Sequence, residues 1–150
     1  MERPTVDVRL SFGDEDWQTR ALIDTGAPRS VFPRGCAEAL GIDLFPPYPN
    51  KRIHQFVGRS WEAIPAVVTL NLPPFANYEW QAEVDFLLAE WDMPFGILGT
   101  EGFLDRWAVT FNRYHNYFIV QEVDDFEARL PIDPFVEFQR DWDGWDRPGT

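Results

Sequence analysis

Ala21-Leu22-Ile23-Asp24-Thr25-Gly26-Ala27-Pro28-Arg29-Ser30-Val31-Phe32 is the stretch that decides the fold. Three apolar residues run into an aspartate, a glycine-containing turn follows, and Ser30-Val31-Phe32 resumes the apolar run. Asp and Gly are favoured turn formers, so Asp-Thr-Gly taken alone is most often an ordinary turn. Here a buried strand delivers Asp24 onto the turn, where a carboxylate can act as acid or base. Hydrolysis of an amide by carboxylates alone works best with two of them sharing a proton. The chain offers one such turn, so an active site built on it is half of a site.

Working outward, the dominant period is two. Val6, Val8, Leu10 and Phe12 alternate with Asp7, Arg9 and Ser11; after the turn-like Gly13-Asp14-Glu15-Asp16, the residues Trp17, Thr19, Ala21 and Ile23 share one side. This predicts a hairpin feeding Asp24. Past Phe32 a short helix is expected: Pro33 suits its first turn, Cys36, Ala37, Ala39 and Leu40 its inner face, and Gly41 its C-terminal cap. A Pro-rich connector runs from Phe45 to Asn50. Residues 52–72 read as a second hairpin, with Gly58 at the tip and Ile64, Ala66, Val68, Leu70 and Leu72 at spacing two. After Pro73-Pro74-Phe75, the residues Trp80, Ala82, Val84, Phe86 and Leu88 alternate against Gln81, Glu83, Asp85 and Leu87, which predicts a half-buried strand.

Phe95-Gly96-Ile97-Leu98-Gly99 is a short apolar strand ending in glycine, and the segment from Thr100 to Arg106 fits a short helix with Thr100 as its N-cap. Val109, Phe111, Tyr117, Ile119 and Val120 flank a polar turn at Asn112 to Asn116 and predict a last hairpin. Beyond Val123 the composition shifts to Asp, Glu, Pro and Trp without period. The expected division is a domain over 1–123 and an acidic, aromatic C-terminal extension over 124–150.

Composition narrows the functions. A chain of 150 residues suits one domain around a single core. A formal net charge of −12 with scattered Lys and Arg argues against a phosphate-binding surface, so no nucleic-acid partner is expected. Cys36 stands alone and excludes an intramolecular disulfide or a thiolate zinc pair; on an apolar helix face it reads as packing, not as a nucleophile. His54 and His115 stand in no ligand spacing, and Asp141-Trp142-Asp143-Gly144-Trp145-Asp146 lacks the downstream bidentate Glu of a calcium loop. No metal and no cofactor are expected. With no basic leader and no apolar run near the roughly 20 residues that cross a bilayer, the reading is no membrane partner and a cytoplasmic location.

Two motifs together resemble the retropepsin-like aspartic proteases, the family of retroviral proteases and their cellular and bacterial relatives. Residues 21–32 match a hydrophobic pair, Asp-Thr-Gly-Ala, two variable positions, Ser or Thr, then hydrophobics. Ile97-Leu98-Gly99 matches the hydrophobic-hydrophobic-Gly that closes the family's core. The likeness spans residues 5–121 and leaves room between the motifs for a flap hairpin. It implies an all-β domain, a closed, barrel-like acid-protease fold with one or two short helices, acting as an aspartic endopeptidase on a peptide or protein substrate as a homodimer.

The resemblance also implies roles. Asp24 is the catalytic residue, paired with its symmetry mate, and Thr25, Gly26, Ala27 and Ser30 support it, with Gly26 also permitting the backbone geometry of the turn. One carboxylate takes a proton from the attacking water while the other donates to the carbonyl oxygen. Pro28, Arg29, Phe56, Val57 and Gly58 are the implied substrate-binding residues, the last three at the flap, and Ile97, Leu98 and Gly99 are structural. Two departures from the retroviral form stand out: Pro28 replaces a frequent acidic residue, and Gly99-Thr100-Glu101 replaces Gly-Arg-Asn or Gly-Arg-Asp. The usual Arg-to-acid support pair is therefore absent from its usual place, while Arg29 and Arg59 hint at tolerance for acidic substrates. The alternative on the same fold is a non-catalytic peptide-binding or assembly module.

Overall fold

Period-two alternation becomes nine strands in a computed structural model that describes residues 3–48, 50–56, 58–90 and 94–128. They are β1 (Thr5–Phe12), β2 (Glu15–Ile23), β3 (Val31–Phe32), β4 (Arg52–Phe56), β5 (Arg59–Asn71), β6 (Glu79–Leu87), β7 (Gly96–Leu98), β8 (Trp107–Asn112) and β9 (Tyr117–Glu122). Two short helices accompany them, α1 (Arg34–Ala39) and α2 (Val123–Ala128).

The sheet runs β1-β2-β7-β3-β6-β5-β4, and β1 also pairs with β5 through Arg9↔Asn71, Leu10↔Leu70 and Ser11↔Thr69. That second pairing closes β1, β2, β7, β3, β6 and β5 into a barrel and leaves β4 hanging from β5. The fold is all-β and closed, as expected. Val8, Leu10, Phe32, Leu70, Phe86 and Leu98 lie in its fully buried interior. Burial along β2 grows toward Asp24: Ala21 and Ile23 are buried, while Trp17, far out on the hairpin, is 46% exposed.

Helix α1 forms where its apolar face predicts, with Cys36, Ala37 and Leu40 buried; Pro33 takes the N-cap position, and Gly41 ends the helix at φ +70°. The strands β8 and β9 form the predicted last hairpin as a separate two-stranded sheet. Trp107 anchors it in an aromatic cluster, with ring centroids 5.1 Å from Phe75 and Tyr78 and 5.6 Å from Trp80.

Three features depart from the expected pattern. No helix follows Gly99: Gly102 takes φ +95°, outside helical space, and the chain from 102 to 106 turns repeatedly instead. The extension beyond Val123 opens with helix α2, while residues 129–150 lie outside the described residues. Strand β5 serves two apolar clusters. Ile64, Val68 and Leu70 face the barrel core, whereas Trp61 and Ala63 join Val31 and Leu87 in a second cluster beside the β4–β5 hairpin. The same second layer covers the face of β6 that alternation assigns to solvent, and Asp85 there is 0% exposed.

Candidate active site

The two motifs meet because β7 lies between the strand that enters the Asp24 turn and the strand that leaves it. Ala21, Leu22 and Ile23 pair in parallel with Gly96, Ile97 and Leu98, and Val31 pairs antiparallel with Ile97. The turn arches over the end of β7 and is stitched to the chain beyond it. Asp24 N–H donates to Leu98 O at 3.0 Å, Thr100 N–H to Ala27 O at 2.9 Å, and Glu101 N–H to Pro28 O at 3.0 Å. Ser30, fully buried, accepts the Gly99 N–H at 3.1 Å and donates its hydroxyl to Glu101 O at 2.9 Å, so both capacities of its side chain are used.

Glycine leaves room at the turn in two different degrees. A Cβ on Gly99 would lie 2.5 Å from the carbonyl oxygens of Ala27 and Arg29, so this position carries the arch of the turn directly. Gly26 N–H donates to Asp24 Oδ1 at 2.9 Å, and a Cβ on Gly26 would lie 3.3 Å from that same oxygen. Its φ is not left-handed, so the demand at Gly26 is close approach to the carboxylate and not the backbone freedom expected of it. Ala27 is buried, Asp24 partly buried, and Thr25 and Pro28 are exposed.

A cleft of about 410 Å³ opens at the turn. Asp24, Gly26, Ala27, Pro28 and Arg29 form one wall; Ile53, His54, Gln55 and Phe56, all on β4, form the other. Six of the expected residues, Asp24, Gly26, Ala27, Pro28, Arg29 and Phe56, therefore come together. Gly58 is at the hairpin tip with φ +71° and does not line the cleft, and Val57 lies outside the described residues.

Arg29 does more than line a wall. Its guanidinium grips Asp85 with two bonds of 3.0 Å, reaches Glu83 at 3.0 Å, and closes a very short contact to Glu101. The charge expected to attract acidic substrates is thus engaged by three carboxylates of the protein, and Arg59 lies over the Trp61 ring at 4.5 Å. Asp85 also meets His54 Nε2 at 2.7 Å and Arg52 at 3.8 Å. Burial alone would raise the Asp85 pKa; hydrogen bonds from His54 and Arg29 and the charges of Arg29 and Arg52 outweigh it and hold the carboxyl below the ordinary aspartate value. For Arg29, burial works against the charge and its acidic partners more than offset it, raising an already high pKa. Cys36 is buried inside the barrel, and burial pushes its thiol up to about 11. It has the inert character its sequence position suggests.

Sequence reasoning missed Asp85, Arg52 and the placement of His54. One signal was present: Asp85 interrupts Val84-Asp85-Phe86-Leu87-Leu88, an otherwise continuous apolar run, and an ionisable group there needs partners.

No protein-family model matches the chain, and no curated protein matches it in sequence. Among solved structures it is similar to a retropepsin-like aspartic protease from Rickettsia conorii, with 16% identity, a TM-score of 0.55, and coverage of 78% of this chain and 89% of that one. EIAV protease complexed with the inhibitor HBY-793 also matches, at 24% identity and a TM-score of 0.44, covering 66% of this chain and 83% of that one. The likeness to the Rickettsia conorii structure establishes the fold.

Proposed function

We propose, from the premise of a retropepsin-like fold, that two copies of this chain form an aspartic endopeptidase whose Asp24 carboxylates meet across a two-fold axis. The observation that carries the reading is the placement of Asp24: a carboxylate on a turn locked to β7, opening on a cleft whose far wall is the β4–β5 hairpin. Among the described residues strand β4 ends the sheet and pairs with β5 alone, so its outer edge can take an extended peptide as an added strand.

Two carboxylates in contact cannot both ionise cheaply and so hold one proton between them. The ionised member draws a proton from a water attacking the peptide carbonyl, and the protonated member donates to the carbonyl oxygen. The same pair then protonates the leaving nitrogen as the tetrahedral intermediate collapses.

Asp24→Asn is the decisive variant, because the amide oxygen can still accept the Gly26 N–H and the turn keeps its restraint. Peptide cleavage is expected to fall by about 10²- to 10⁴-fold with fold and association intact; cleavage at the wild-type rate would sink the assignment. Mixing equal amounts of wild type and Asp24→Asn separates a shared site from a self-sufficient one. Random pairing of a shared site leaves about a quarter of the dimers competent, whereas independent sites retain half of the activity.

A further inference from the structure

His54 has no part in activating water, yet it lines the same cleft as Asp24. Its Nε2 is 2.7 Å from Asp85 Oδ2, its side chain is 10% exposed, and its ring stacks on Phe56 at 5.6 Å. His54 belongs to β4, which among the described residues is held by one ladder, whereas Asp85 belongs to β6 within the closed barrel. This contact ties the hairpin to the barrel wall directly. We propose that His54 is a positioning residue that latches the β4–β5 hairpin over the Asp24 turn through Asp85, and that protonation of its imidazole tightens the latch. The link to substrate access rests on the peptidase reading; the latch does not.

The charges around His54 set the direction. Asp85 and Glu83 face it from β6, Glu101 and Arg29 come from the two sides of the turn, Arg52 stands two residues along β4, and Asp24 shares the cleft. Within the connected cluster, three carboxylates meet two guanidiniums, and a proton on His54 brings the group to neutrality. A neutral imidazole with its proton on Nε2 already donates to the Asp85 carboxylate, and the charged form adds the attraction of an ion pair to that bond. Arg52, bonded to Glu83 at 2.6 Å, is permanently charged and supplies the pH-independent part of the anchorage. Histidine ordinarily changes charge between about pH 5 and 8. The hairpin is held more firmly with the imidazole protonated and loosens when that proton is lost.

Hydrogen exchange read by mass spectrometry tests this on the full chain carrying Asp24→Asn, which removes any self-cleavage. The readout is exchange in 52–56 relative to the β5–β6 ladder, corrected for intrinsic rates, from about pH 5 to 8. Relative opening should rise roughly fivefold across the window. His54→Gln keeps an N–H donor and cannot gain charge, so it should stay near the high-pH level throughout. His54→Leu should open at least as far, without a pH step. A parent with no step, or a His54→Gln variant that keeps it, overturns the latch. Retained protection in the β5–β6 ladder distinguishes hairpin opening from unfolding, and should His54→Leu unfold, His54→Gln still decides. If wild type proves unable to cleave peptides while the step is present, the peptidase reading fails and the latch stands; cleavage without the step is the converse.

Discussion

Replacing Gly99 with Ala tests whether the two sequence motifs form one structure. The new Cβ would lie 2.5 Å from Ala27 O and Arg29 O and 2.8 Å from the Arg29 carbonyl carbon. Favourable contacts to carbon begin at about 3.5 Å, so the arch must recede by about 1 Å. No flexible side chain can absorb that shift, because the obstructing atoms are all backbone. Recession stretches the Thr100 N–H bond to Ala27 O and the Ser30 hydroxyl bonds to Gly99 and Glu101. Overpacking costs about 1–3 kcal/mol, and a buried donor left unpaired adds about 1–3 kcal/mol. A loss of about 3 kcal/mol follows, which lowers a urea midpoint by about 1–2 M for a protein of this size. Gly35→Ala is the matched control, since a Cβ there meets nothing within 4 Å and alanine favours the helix by about 0.5–1 kcal/mol. Equilibrium denaturation followed by tryptophan fluorescence measures both. If Gly99→Ala unfolds at the wild-type midpoint, the turn does not rest on β7 and the account of the site fails. Where cleavage is measurable, a displacement of about 1 Å in the turn costs about 10²-fold in rate.

Two further outcomes follow from the charges. The folded Asp85 pKa is depressed, so its contribution to stability is complete above the unfolded aspartate value and disappears as pH falls through the lower folded value. Asp85→Asn should therefore cost about 3–5 kcal/mol near neutrality and flatten the acid limb of stability; a constant offset from wild type down to about pH 2 would contradict it. Association of two chains at −12 each should tighten with added salt, since the Debye length shortens to about 10 Å at 0.1 M. Sedimentation showing a salt-independent dimer fraction would remove electrostatic repulsion from the account.

The locked wall of the cleft was legible in the sequence because apolar alternation and a glycine that tolerates no Cβ leave a strong local pattern. The strands expected at Ala21 to Ile23, at Val31 and Phe32, and at Gly96 to Leu98 are present, and the pairing of β7 with both β2 and β3 explains why such distant stretches belong together. The polar wall was not legible. Asp85 occupies a position that period two assigns to solvent, and its burial depends on a second layer built by Trp61, Ala63 and Arg29, none of which is near it in sequence. A lone histidine spacing carries no information about a carboxylate 31 residues away. The helix expected after Gly99 fails for a local reason that composition hid: Gly102 is at φ +95°, where a cap or turn glycine and a helical glycine look alike in sequence.

The two walls differ in how they are held, and the difference bears on how a peptide would enter. Asp24 sits on a turn whose backbone is bonded at Leu98, Thr100 and Glu101 and whose underside is filled, so that wall cannot yield without breaking the barrel. Among the described residues strand β4 has one ladder, and its other ties to the barrel are charged side chains and the packing of Phe56 on the Val31, Trp61, Ala63 and Leu87 cluster. Ionic and hydrogen-bonded contacts can reform after opening, whereas a close-packed apolar wall resists continuous deformation. Motion of the cleft must therefore fall on the hairpin, leaving the carboxylate fixed. Catalysis by a proton-sharing pair needs this division, because the shared proton depends on the carboxylates keeping their separation while the substrate comes and goes.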